Sequence, residues 1–176
     1  MIILPAKLIL PKLYCIFFLI LVSCTTGPKD QSGSITQRNN DIAKVELKEL
    51  SNETLDLKQF SGKTVFINFW ATWCKPCIQE MPTIANVQES LKNENVVFLM
   101  ASNEEPDQIE KFKERHPYNF HYVRIENLEA LKIQALPTTF IFNPEGKLKF
   151  SENGFRIWDD PSNVELITKI MNDHEK

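Results

Sequence analysis

The chain has 176 residues, 43% of them hydrophobic and 24% charged, with a formal net charge of −3 at neutral pH. That length and apolar content suit one domain with short appendages and a core large enough to need no covalent staple. Its basic residues are spread without a block of five or more, which argues against nucleic acid as a partner.

The first 24 residues, MIILPAKLILPKLYCIFFLILVSC, carry only Lys7 and Lys12 as charges, and positions 13–22 are almost wholly apolar. This pattern predicts an export signal. Its apolar core is too short for the roughly 20 residues that span a bilayer, so a removed signal is preferred to a permanent membrane helix. LVSC (21–24) resembles the lipobox of bacterial lipoproteins, in which the cysteine becomes acylated and N-terminal; here that residue is Cys24. Acylation would hold the protein on a membrane surface without a spanning segment. Loss of residues 1–23 removes two lysines and no acid, moving the charge from −3 to −5. TTGPKDQSGSITQRNN (25–40) is polar and poor in large apolar side chains, as in a flexible tether.

From Ile42 onward the apolar density rises. IAKVEL alternates like a half-buried strand, and SNETLDLKQFSGK reads as turns leading inward. TVFINFW (64–70) is an uninterrupted β-branched and aromatic run, the signature of a central strand buried on both faces. CKPCIQEMPTIANVQESLKN then places Ile78, Met81, Ile84, Ala85, Val87 and Leu91 close to helical spacing, with a kink expected at Pro82. VVFLMAS predicts a second buried strand, and NEEPDQIEKFKERH a helix with Pro106 near its first position. A short FHYV strand and an ENLEALKI helix follow. LPTTFIF and KLKFS around NPEG form a predicted hairpin. An amphipathic helix over 159–172 closes the chain with Val164, Leu166, Ile167, Ile170 and Met171 on its apolar side. The alternation of strands and helices makes this an α/β protein.

With Cys15 in the signal and Cys24 carrying lipid, Cys74 and Cys77 remain as thiols. A strand ending at Trp73 and a helix starting at once would put Cys74 among unpaired N–H groups at the positive end of the helix dipole, where a thiolate is stabilised. Lys75 adds a cation, and Cys77 would lie on the same face, within disulfide range. One thiol could attack and the other resolve. Three other readings stay open at this point: a zinc site, which lacks two nearby ligands, a purely structural disulfide, and inert buried thiols.

WCKPC after an apolar strand, a proline five residues beyond the second cysteine, and LPTTF downstream resemble the thioredoxin fold. More closely, NFWATWC together with ALPTTFIFNPEGKL resembles the membrane-tethered TlpA/ResA-like thiol-disulfide oxidoreductases, over 42–176. The resemblance implies a thioredoxin-like domain at 41–176, a central mixed β-sheet flanked by helices. It also implies the group's extra central strand and helix, around 120–133. A cis-proline facing the disulfide would be Pro137, with the Leu136 backbone offered to an incoming chain as a short added strand. Thioredoxin's buried aspartate is replaced by Asn68, which cannot exchange a proton. The ResA-like group has a glutamate three residues past the second cysteine, here Glu80, where burial would raise its pKa into a useful range. Trp70 would pack beneath the active-site loop and Trp73 would shield Cys74, whereas His116, His121 and His174 stand in no motif.

On this resemblance the chain is an extracytoplasmic oxidoreductase with catalytic Cys74, Cys77 and Glu80, substrate contacts at Trp73, Leu136 and Pro137, and lipidation at Cys24. It would need no metal and no cofactor beyond its own redox-active disulfide. Its partners would be the dithiols or disulfides of exported proteins, apocytochrome c among them, a membrane electron donor, and the membrane through the lipid. A monomer facing the periplasm from the bacterial cell envelope is implied. A disulfide oxidase or isomerase, or a redox-inactive binding module of the same fold, are the alternatives.

Overall fold

The computed structural model describes residues 41–174; the expected signal at 1–23, the expected lipidation of Cys24 and the expected tether at 24–40 lie outside the described residues. In chain order the elements are a 3₁₀ turn Asp41–Lys44, β1 Leu47–Glu49, β2 Thr54–Leu55, a second 3₁₀ turn Leu57–Phe60, and β3 Thr64–Phe69. Then come α1 Lys75–Ser90, β4 Val96–Ser102, α2 Pro106–Arg115, β5 His121–Ile125, β6 Thr138–Phe142, β7 Leu148–Asn153 and α3 Pro161–Met171.

The strands form one sheet in the order β2-β1-β5-β4-β3-β6-β7. β3 is parallel to β4, and β4 to β5, through the crossovers α1 and α2; the outer pairings are antiparallel. Every side chain of β3 is buried, as its continuous apolar run requires of a strand covered on both faces. Strand alternation divides these side chains. Phe66 and Trp70 join the core that also takes Met81, Ile84 and Val87 of α1, Ile109 and Phe112 of α2, and Ile167 and Ile170 of α3. Val65, Ile67 and Phe69 face the other core, with Ile42, Leu57, Phe140 and Phe142. Asn68 therefore points to the helical face, between Phe66 and Trp70.

Two expectations are corrected. The residues of IAKVEL do not make one strand: Ile42 and Val45, three apart, are both buried from a 3₁₀ turn, and only Leu47–Glu49 finds partners in β2 and β5. The Ile42 N–H bonds to the Gly146 carbonyl at 3.0 Å, outside any strand pairing. ENLEALKI likewise forms no helix. After β5 the chain makes a single turn, with Leu131 N–H to Asn127 O, and stops. Lys132 N–H returns to Glu129 O and Ile133 N–H to Leu128 O, with Lys132 at φ 58°, the pattern of a Schellman stop. So short a segment stops before helix propagation can repay nucleation, and Leu128, Leu131 and Ile133 still pack on the second core. Pro82 lies within α1, which runs on through it to Ser90.

Candidate active site

β3 ends inside the molecule, and the chain turns sharply from it into α1. The Trp70 N–H bonds to the Ala101 carbonyl of β4 at 3.0 Å, and the Cys74 N–H closes a turn onto Ala71 O at 3.0 Å. Cys74 is the N-cap of α1, with extended backbone angles, and its Sγ accepts from the Cys77 N–H at 3.3 Å. Pro76 occupies the first turn, where a missing N–H costs nothing. Cys74 and Cys77 form a disulfide with their Cα atoms 5.3 Å apart. The two cysteines differ in exposure: Cys74 is 4% exposed and Cys77 is fully buried.

The turn ahead of Cys74 is held by a residue that sequence reading missed. Glu104 accepts from the Thr72 N–H at 2.7 Å and the Thr72 Oγ at 2.6 Å, and Ser102 Oγ donates to it at 3.0 Å. The signal lay in the parallel register. Phe69 pairs with Ala101, so three residues further along both strands Thr72 meets Glu104. Glu104→Ala is expected to cost roughly 1–3 kcal/mol of unfolding free energy in urea titrations, because three donors, the Thr72 N–H and the Thr72 and Ser102 hydroxyls, lose their acceptor. An unchanged transition midpoint would remove the clamp.

Glu80 lies in α1 one turn past Cys77 and is fully buried. Its Oε1 accepts from Asn68 Nδ2 at 2.6 Å and its Oε2 from the Arg156 backbone N–H at 3.1 Å. Asn68 is itself fixed by a second bond to Thr139 Oγ1 at 3.0 Å, directly across the β3–β6 register. Burial pushes the Glu80 carboxyl up from 4.5 to about 7, against the opposing pull of the Arg156 and Asn68 donors. The Trp158 indole N–H adds a weaker pull in the same sense as those donors, without a hydrogen bond of its own. Asn68→Ala deletes one donor and is expected to move the Glu80 carboxyl higher still, read by carboxyl NMR titration; a fall would contradict the assignment of Asn68 as a stabiliser of the charged form.

The Leu136–Pro137 peptide bond is cis. Pro137 is buried and Leu136 half-buried, packed against both cores. The Pro137 carbonyl accepts from the Gly154 N–H at 2.7 Å, and Gly154 sits at φ 108°, a conformation that favours glycine. Trp70 is buried between Phe112 and Tyr122, with ring centroids 4.7 and 5.6 Å away, whereas Trp73 is 73% exposed beside Cys74. His116 stacks on Phe112, His121 pairs with Glu49, and His174 faces Glu145, so none of the three joins the disulfide.

Such a strand, cysteine-capped helix and cis-proline loop define the thioredoxin fold class. The thioredoxin domain of a thiol-disulfide oxidoreductase from Bacteroides vulgatus has the same fold, with a TM-score of 0.61 at 21% identity, covering 72% of this chain and 92% of that one. The chain belongs to the AhpC/TSA family, whose profile matches residues 39–151, and within the thiol-disulfide oxidoreductases it groups with ResA. It is 34% identical over 113 residues to the thiol-disulfide oxidoreductase ResA of Bacillus subtilis, covering 62% of this chain and 63% of the relative. It is 30% identical over 119 residues to that of Halalkalibacterium halodurans, covering 65% and 68%. The match thus spans somewhat under two thirds of the Bacillus subtilis relative's length.

Proposed function

We propose that this chain is a thiol-disulfide oxidoreductase that reduces the disulfides of exported proteins from a membrane-tethered position. The observation that carries the reading is the Cys74–Cys77 disulfide at the start of α1, with Cys74 the more exposed of the two residues. In the reduced protein, the Cys74 thiolate is favoured by the N–H groups of the first helical turn and by the helix dipole. It attacks a sulfur of the partner's disulfide, forming a mixed disulfide and releasing one partner thiolate. Cys77 then loses its proton and attacks Cys74 Sγ. The second partner thiolate leaves, and the Cys74–Cys77 disulfide re-forms. Two electrons have passed to the partner.

Glu80 is the group we assign to the proton of Cys77. A carboxyl near 7 can take up a proton as Cys77 becomes a nucleophile and return it later, with no large mismatch to neutral pH. Trp73, Leu136 and Pro137 form the contact zone for the incoming chain. Resemblance to the ResA-like group supports apocytochrome c as one substrate class, and a membrane donor would restore the dithiol. Cys24 would carry the lipid that keeps the protein at the envelope surface. Fractionation of cells expressing Cys24→Ala tests the tether: the protein is expected to leave the membrane fraction, and full retention with the signal removed would defeat that part of the proposal.

A further inference from the structure

Among the described residues three large apolar side chains are exposed: Trp73 at 73%, Ile157 at 53% and Phe155 at 48%. Their positions are related. Trp73 directly precedes Cys74. Phe155 and Ile157 belong to the segment that leaves β7 and crosses from the cis-proline loop to α1. That path is fixed at three points: Gly154 N–H to Pro137 O at 2.7 Å, Arg156 N–H to Glu80 Oε2 at 3.1 Å, and Trp158 N–H to Thr83 Oγ at 3.0 Å. Arg156 is held in turn by Asn163 and Glu152, and its guanidinium lies over the Phe150 and Trp158 rings. Phe155 and Ile157 are thus displayed from an anchored backbone.

Exposed aromatic and aliphatic side chains usually mark a contact surface; here Trp73 adjoins Cys74 in the chain, and Phe155 and Ile157 sit on the segment whose backbone is bonded to Pro137 and Glu80. We propose that Phe155 and Ile157, with Trp73, determine substrate choice: the preferred partner is an extended, unfolded segment whose cysteine is flanked by bulky apolar residues. This rests on the exchange reading above and specifies its substrate class. Access supports an extended occupant. With Cys74 only 4% exposed and Cys77 buried, a sulfur fixed inside a folded partner cannot approach, whereas a flexible chain can lay its cysteine on Cys74. Apolar neighbours of a cysteine are themselves buried in folded proteins and become available in unfolded ones.

The test uses two short peptides, one with Leu and Phe beside a single cysteine and one with Ser and Gly there. Each carries its cysteine as a mixed disulfide with 2-nitro-5-thiobenzoate. Attack by Cys74 on the peptide sulfur breaks the peptide–thiobenzoate S–S bond, forms the Cys74–peptide bond and releases the coloured thiolate; Cys77 then displaces the reduced peptide. The reduced full-length protein is expected to react about tenfold faster with the apolar peptide. In the double variant Phe155→Ser, Ile157→Ser the ratio of the two rates should fall to about twofold. A ratio taken on one preparation does not depend on how much of the variant is folded. Equal rates in the wild type, or an unchanged ratio in the variant, would overturn the substrate assignment while leaving exchange intact. Failure to release thiolate from either peptide would overturn the exchange reading, and the substrate assignment with it. Self-association of the wild type that the double variant loses would assign these side chains to a dimer and likewise overturn the proposal.

Discussion

Cys74→Ser is expected to lower the rate of disulfide reduction more than about a thousandfold, because a hydroxyl near neutral pH is not ionised and cannot attack a disulfide sulfur. Cys77→Ser should behave differently. Cys74 still attacks, but no second thiol follows, so the mixed disulfide with the partner accumulates and can be seen as a covalent adduct on non-reducing gels. The asymmetry follows from exposure, since Cys74 is the more exposed residue and Cys77 is fully buried. Adducts forming equally well through Cys77 in the Cys74→Ser variant would reverse the roles. Retention of full turnover by either variant would remove the pair from the chemistry.

The second large effect is a pH dependence carried by Glu80. Its carboxyl ionises near 4.5 in the unfolded chain and near 7 in the folded one. Below pH 4.5 both states are protonated and the group costs nothing. Between pH 4.5 and 7 the unfolded chain loses this proton while the folded protein keeps it, so stability falls as pH rises. Above about 7 both are ionised and the full cost of a buried carboxylate is present, on the order of 3 kcal/mol. Glu80→Gln has no such ionisation. The difference in unfolding free energy between the two proteins is therefore expected to move in favour of Gln by up to about 3 kcal/mol between pH 4.5 and 8, while other groups cancel. Gln retains one acceptor for two N–H donors, which subtracts a pH-independent amount. In exchange kinetics, the wild-type inflection near pH 7 should be lost or displaced in Glu80→Gln. Parallel stability curves for the two proteins, together with identical pH–rate profiles, would take Glu80 out of the mechanism.

How far the sequence carried depends on whether a feature is local. The run Thr64–Phe69 is buried on both faces as its composition requires, and the helix after it begins within one residue of Cys74. The hairpin of β6 and β7 and the helices α2 and α3 also follow from local periodicity and turn residues. Asn68 could be recognised as a departure from the thioredoxin pattern, but its pairing with Glu80 needs the strand's alternation and the helix's position together. The Arg156 contact to Glu80 was not legible at all. It is a backbone N–H brought there by a loop 76 residues away, so no side-chain identity encodes it. The segment 126–133 misled because its leucines have helical spacing, while the left-handed stop at Lys132 uses a residue that gives no warning of it. Ile42 and Val45 misled for a related reason, since burial of residues three apart fits a 3₁₀ turn as well as a broken alternation.

Equilibration of the whole protein with glutathione mixtures of graded ratio, followed by rapid alkylation and mass measurement, tests thiol-disulfide exchange most directly. Cys74 and Cys77 are expected to convert together in one two-electron step, with a midpoint near or below about −270 mV, the level of a reductase that needs a dedicated donor. A midpoint near about −120 mV, the level of a strong dithiol oxidant, would contradict the direction proposed, and a pair that failed to equilibrate would contradict the exchange function itself.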